Sequence, residues 1–245
     1  MKASKVSAAT QKERVRRIVS VLEERFGVPR WEGPRDPLAS LIRTILSQNT
    51  NDVNSGEAYR RLTERYPTWE AVMEADTWEL ADVIRVGGLA NQKAARIQAL
   101  LRWIRDQYGR FSLDVLCAME PEEAIRTFCV LKGVGIKTIS VVLAFACGKD
   151  IFPVDTHIHR ITRRLGLAPE NATPERVHKI MQPLVPAGKA YSFHINLLTF
   201  GRTLCHARNP MCARCPLVEE CGWVKAHRPE VVKCLLEEGT CTPLS

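Results

Sequence analysis

The sequence predicts an all-α protein, and three observations predict it. Apolar residues recur at three- and four-residue spacing along most of the chain; almost no stretch alternates with period two for long enough to form a strand; and Asp36-Pro37 is a cap and first-turn pair where a periodic run begins. Taken in order, Gln11 to Phe26 places Val15, Ile18, Val19 and Leu22 on one helical face and Lys12, Arg16, Glu23 and Glu24 mainly on the other, and VPRWEGPRDP then breaks the helix. Asp36 starts the next helix, which buries Leu38, Leu41, Ile42 and Ile45. Further helices are expected at 54–65, 69–74, 77–84, 91–108, 122–129, 136–147, 156–165, 174–184, 189–203 and around 229–238.

One local echo stands out. Val86-Gly87-Gly88-Leu89 followed by Asn91-Gln92-Lys93-Ala94 is similar to Leu131-Lys132-Gly133-Val134-Gly135 followed by Ile136-Lys137-Thr138, each a glycine turn opening a helix with an early lysine. LKGVG has no preceding strand and no GxxxxGK pattern, which excludes a mononucleotide or dinucleotide fingerprint. Gly133 and Gly135 allow a tight turn that leaves amides exposed at a helix start, where phosphate binds; a purely structural turn is the other reading.

Of 245 residues, 45% are apolar, 25% charged and 7% aromatic, the composition of an ordinary folded chain. The longest uncharged apolar stretch near the middle, Ile139 to Gly148, is far short of the ~20 residues that span a bilayer. MKASKVSAATQKERVRR has no apolar region behind its basic start, so a cytoplasmic location without membrane attachment is expected. The net charge is +8, and it is concentrated: residues 125 to 215 hold thirteen basic residues against Asp150, Asp155, Glu170 and Glu175. Such a field points to a polyanion, with nucleic acid first; the alternative is a solubilising surface. Of nine cysteines, Cys117, Cys129, Cys147, Cys234 and Cys241 are scattered, while Cys205, Cys212, Cys215 and Cys221 are clustered. With no export signal, disulfides are disfavoured and a metal cluster is the economical explanation; the ligand types alone suit zinc or iron–sulfur.

LKGVGIKT at 131–138, PVDTHIHR at 153–160, GGLANQKA with its flanks and the terminal cysteines together resemble the endonuclease III family of DNA glycosylases, over essentially residues 10 to 225. The resemblance implies a two-lobed helix-hairpin-helix glycosylase fold. Its parts would be an N-terminal helix (1–37) joining an iron–sulfur lobe (150–228), a six-helix barrel with the hairpin (38–149), and a C-terminal extension (229–245). It also implies a bifunctional N-glycosylase and abasic-site lyase, a monomer acting on damaged double-stranded DNA without a nucleotide cofactor.

Residue by residue, Lys137 matches the Schiff-base nucleophile, in the first helical turn where the dipole disfavours a cation. Asp155 matches the aspartate that stabilises the sugar cation, a role compatible with capping the following helix. Cys205, Cys212, Cys215 and Cys221 match the ligands of one [4Fe-4S] cluster. In LSQNTND, Asn49 falls at the amide that fills the gap left by a flipped base, with Gln48 the neighbouring alternative. Leu89 matches the apolar wedge, an ordinary core leucine being the other reading. Lys132, Gly133, Gly135, His157 and Arg208 are expected at DNA. Oxidised pyrimidines are the expected substrates. The alternatives are a mismatch or 8-oxoguanine glycosylase of the same superfamily, or a non-enzymatic iron–sulfur DNA-binding protein.

Overall fold

A computed structural model describes residues 8–238, and among them it contains helices and no strand. In chain order these are α1 (Ala8–Phe26), α2 (Pro37–Leu46), α3 (Asp52–Arg65), α4 (Trp69–Glu74), α5 (Thr77–Val83), α6 (Ala90–Tyr108), α7 (Asp114–Ala118), α8 (Pro121–Phe128) and α9 (Ile136–Phe145). They are followed by α10 (Thr156–Arg164), α11 (Pro174–Met181), α12 (Ala190–Thr203), α13 (Gly222–His227) and α14 (Pro229–Glu238). Short 3-10 turns lie at Arg85–Gly87 and Cys212–Arg214. None of the described helices is long and apolar enough to cross a membrane. The chain divides into two compact units, one of Glu32–Lys149 and one of the segments up to Trp31 and from Asp150 onward.

In the unit of Glu32–Lys149, α2 starts where Asp36 accepts the amides of Leu38 at 2.8 Å and Ala39 at 3.2 Å, with Pro37 in the first turn. Its apolar stripe, Leu38, Leu41, Ile42 and Ile45, is fully buried, and α2 packs on α9. Each such side chain contributes about 1.5–3 kcal/mol of burial. α6 packs against α4 and α5, and α8 against α9, so the loop 129–135 closes a helical hairpin.

In the other unit α1 and α10 both pack on α12. The centre is apolar: Val15, Ile18 and Leu22 from α1 meet Ile158, Ile161, Leu197 and Phe200, while Phe152 stacks on Phe193 with ring centres 5.2 Å apart. Glu220 fastens α1 from outside the core, accepting from Arg14 at 3.2 Å and pairing with Arg17 at 3.0 Å.

Several expectations need correction. The short helices α7 and α13 and the 3-10 turn at Cys212–Arg214 carry too few residues to show a periodic stripe. The reading that disfavoured disulfides fails at Cys117 and Cys147, which are bonded with Cα atoms 5.0 Å apart, because packing brings together residues 30 apart in sequence. Cys234 is also disulfide-bonded, and Cys241 lies outside the described residues. The second unit is organised by its hydrophobic core rather than as an iron–sulfur lobe, since the described residues hold no metal-binding group.

Candidate active site

The hairpin that precedes Lys137 is shaped by one glycine. Gly133 has φ +86°, and a Cβ added there would lie 2.6 Å from Cδ of Arg96, so the Arg96 side chain packs directly over the turn. The Gly133 carbonyl accepts from Gln48 Nε2 at 2.9 Å, and Arg96 donates to Gln48 Oε1 at 3.2 Å. Gly135 caps α9 with no side-chain partner for the first amides, and Lys137 follows in the first turn. Lys137 and Lys132 are both exposed. Arg96 was read only as part of a helix; a buried-face arginine two turns past a glycine motif carries no signal until the packing is known.

The same unit presents two further exposed groups on constrained backbone. Asn49 has φ +53° and is exposed, just past the end of α2, whereas its neighbour Gln48 is committed to the hairpin through Gly133 and Arg96. Leu89 has φ +50° and is 45% exposed at the start of α6, after Gly88 at φ +71°. A leucine in the left-handed region, exposed, is not an ordinary core leucine. Between these two turns lies a residue whose part the sequence did not reveal: Lys93, wholly buried, donates to the carbonyls of Leu46 at 2.7 Å and Gly87 at 2.8 Å. Burial, and secondarily the charge of Arg96, lower its pKa.

In the other unit Asp155 caps α10, its Oδ1 accepting the Ile158 amide at 2.7 Å, and it is half-buried. The segment leading to it is held by side chains rather than by a sheet. Gln182 accepts the Phe152 amide at 2.8 Å and donates to the Asp150 carbonyl at 3.0 Å. Buried His178 and His194 use Nδ1 to donate to the carbonyls of Phe152 and Pro153, each at 3.0 Å. The Asp150 carboxylate accepts the amides of Gly188 and Ala190. Gln182, His178 and His194 were missed because they lie on or at the end of later helices, far in sequence from the aspartate that they steady, and Asp150, five residues before it, was read only as a charge.

His157 lies against Gly201, where an added Cβ would come within 2.8 Å of the ring, and Arg160 Nη2 lies 3.2 Å from its Nδ1. Arginine can only donate, so Nδ1 accepts and the proton of the neutral ring sits on Nε2. His159 instead bonds the Ala172 carbonyl through Nε2 at 2.7 Å, a structural contact. Arg208 is exposed. Arg160 and Arg164 are spent internally on the carbonyls of Cys205 and His206, and Lys189 pairs with Glu23 at 2.9 Å, so three members of the basic stretch are already engaged.

Cys205, Cys212, Cys215 and Cys221 line one pocket together with Ile161, Phe200 and Leu204. The expectation that they hold a [4Fe-4S] cluster is corrected: among the described residues no three His, Cys, Asp or Glu side chains form a group that could hold a metal ion. Burial pushes Cys215 up to about 12 and raises Cys212 and Cys221 as well. Two sulfurs have protein partners: Cys205 accepts from Arg164 at 3.3 Å, and Cys221 donates to the Arg164 carbonyl at 3.4 Å.

Residues 42–187 match the family model of the HhH-GPD superfamily base excision DNA repair proteins. Endonuclease III of Thermotoga maritima is 36% identical over 197 residues, covering 80% of this chain and 88% of the relative. Endonuclease III of Synechocystis is 30% identical over 220 residues, covering 89% and 96%. Among solved structures, a non-covalent endonuclease III–DNA complex superposes with a TM-score of 0.76 at 30% identity, covering 88% of this chain and 97% of that one. A thermostable thymine-DNA glycosylase superposes with a TM-score of 0.74 at 25% identity, covering 90% and 100%. A glycine hairpin opening a helix with an exposed lysine and a capping aspartate further along are thus set in a chain that belongs to the HhH-GPD superfamily of base-excision DNA repair proteins.

Proposed function

We propose that this chain is a bifunctional DNA N-glycosylase and abasic-site lyase that acts on damaged double-stranded DNA. The observation that carries the reading is the exposed Lys137 amine in the first turn of α9, immediately after the Gly133–Gly135 turn. Extrusion of the damaged nucleotide exposes C1′ of its sugar. Lys137 Nζ attacks C1′, the bond from C1′ to the base breaks, and the base leaves with the electron pair and takes up a proton. The attacking amine then loses a proton, the C1′–O4′ bond breaks with O4′ taking up a proton, and a protonated imine is left. A C2′ proton is then lost, the C3′–O bond breaks, and the 3′ phosphate departs. Water finally releases the lysine. Asp155, its orientation set by the Ile158 amide, supplies the negative charge that favours the cationic sugar. The uncapped first amides of α9 and the exposed Lys132 suit phosphate.

Asn49, exposed where Gln48 is engaged, is the amide available to an orphaned base, and Leu89 the apolar group available to an opened step. Oxidised pyrimidines are the proposed substrates. Relatives named endonuclease III and the structure of a trapped endonuclease III–DNA covalent intermediate support the lysine route.

Borohydride added during reaction with an abasic-site duplex is expected to trap a protein–DNA adduct that maps to Lys137. Lys137→Ala keeps DNA binding and loses trapping and strand cleavage. An adduct on another lysine, or cleavage by Lys137→Ala at the wild-type rate, would overturn the mechanism. A panel of duplexes with single defined lesions is expected to show release of an oxidised pyrimidine. Release only of 8-oxoguanine or of thymine opposite guanine would replace the substrate.

A further inference from the structure

Lys93 is the buried charge-bearing group that the chemistry above leaves unused. It is 0% exposed, and its amine bonds two neutral carbonyls, each at the edge of a functional turn. Leu46 is the last residue of α2, so its carbonyl has no intrahelical partner and stands at the negative end of the helix dipole. Asn49 lies three residues further on, with φ +53°. Gly87 is the last residue of the 3-10 turn, and Leu89, with φ +50°, lies two residues further on. Gly87 is itself fitted tightly to α3: an added Cβ would approach Ala58 Cβ to 3.1 Å. A lysine is among the residue types most costly to bury, yet this position holds it between two backbone oxygens that an apolar side chain would leave unsatisfied.

We propose that Lys93 is a positioning residue that ties the turn carrying Leu89 to the turn carrying Asn49, so that wedge and orphan-base amide act on duplex DNA as one unit. The inference rests on the glycosylase reading. Both turns use left-handed backbone at non-glycine residues, which persists only where the surroundings enforce it. The shared amine supplies that enforcement to both at once. When Leu89 enters a base step, the carbonyl of Gly87 cannot shift without moving the amine away from Leu46. Lys93 touches no DNA in this scheme, and its effect is confined to opening the duplex.

The test compares trapping at an abasic site in a paired duplex with trapping at an abasic site in a single strand, which needs no opening. A fluorescent adenine analogue beside the site reports the opened step. Lys93→Met is expected to lower the duplex-to-single-strand rate ratio at least tenfold and to diminish the fluorescence rise. An unchanged ratio overturns the proposal. Should Lys93→Met not fold, Lys93→Gln, which retains a donor of shorter reach, is read in the same way. A cycle that leaves Lys93 in place adds an independent reading. Leu89→Ala and Asn49→Ala, singly and together, are expected to combine non-additively on duplex opening, the double variant losing at least threefold less than the product of the single losses. Additive losses overturn the coupling. A wild type that traps on neither substrate would remove the glycosylase reading itself, whereas normal wild-type trapping with an unchanged ratio removes only the part assigned to Lys93.

Discussion

Asp155 accepts the Ile158 amide with one carboxylate oxygen, so its charge and its cap can be separated by substitution. Asp155→Asn keeps an acceptor at the cap and is expected to remain within ~0.5 kcal/mol of wild-type stability in urea unfolding while strand cleavage falls by orders of magnitude. Asp155→Ala loses both, with about 1 kcal/mol of stability gone. Equal activity in the asparagine variant would show that the charge is not used. Gly133→Ala is expected to cost roughly 1–2 kcal/mol from the left-handed backbone alone. It also pushes Arg96 off the turn, and with it the bond to Gln48, so trapping by Lys137 should slow beyond what urea unfolding accounts for. These positions were legible because glycine turns and capping aspartates announce themselves locally. Arg96 and Lys93 were not: nothing along a helix tells which of its cations faces inward, and only packing selects them.

Among the elements, α1 shows how a periodic stripe predicts a helix but not its attachment. Val15, Ile18 and Leu22 were readable as a buried face, while the outer fastening by Glu220 depends on a residue about two hundred positions away. Burial would raise the Glu220 pKa, but hydrogen bonds from Arg17 and Arg14 outweigh it and hold the carboxyl below its usual 4.5. A depressed folded-state pKa contributes stability that is present above the unfolded value and is lost as pH falls through the folded one. Glu220→Gln is therefore expected to lower Tm at pH 7, by an amount corresponding to about 1 kcal/mol or less, with the gap from wild type closing as the pH is taken below 4.5. A gap that is constant with pH would assign the loss to packing. The segment at 150–155 was readable only as a lead-in to Asp155. Its rigidity comes from Gln182, His178 and His194, whose partners are backbone atoms and leave no trace in a residue pattern.

For the molecule as a whole, the excess of positive charge in residues 125 to 215 was plain in the sequence, but how much of it faces solvent was not. Arg160 and Arg164 are bonded to backbone carbonyls and Lys189 is paired with Glu23, whereas Lys132 and Arg208 are exposed. Log affinity for undamaged duplex should fall nearly linearly with log salt. Lys132→Ala and Arg208→Ala should each reduce the slope by about one without altering lesion preference, whereas Lys189→Ala should leave it unchanged. A slope insensitive to Lys132 and Arg208 would place the phosphate contacts elsewhere. The expected metal centre failed for a related reason: cysteine spacing states which sulfurs are near one another along the chain, but not whether the fold gathers them into a group that could hold a metal ion, and among the described residues it does not. Pairing of the scattered cysteines, by contrast, has a topological effect. The Cys117–Cys147 bond closes a ring that contains α8, the glycine turn, Lys137 and all of α9. A single protease cut anywhere from 118 to 146 would therefore open a loop without releasing a fragment, and Lys137 would stay covalently joined to both flanking chain ends until the thiols were reduced.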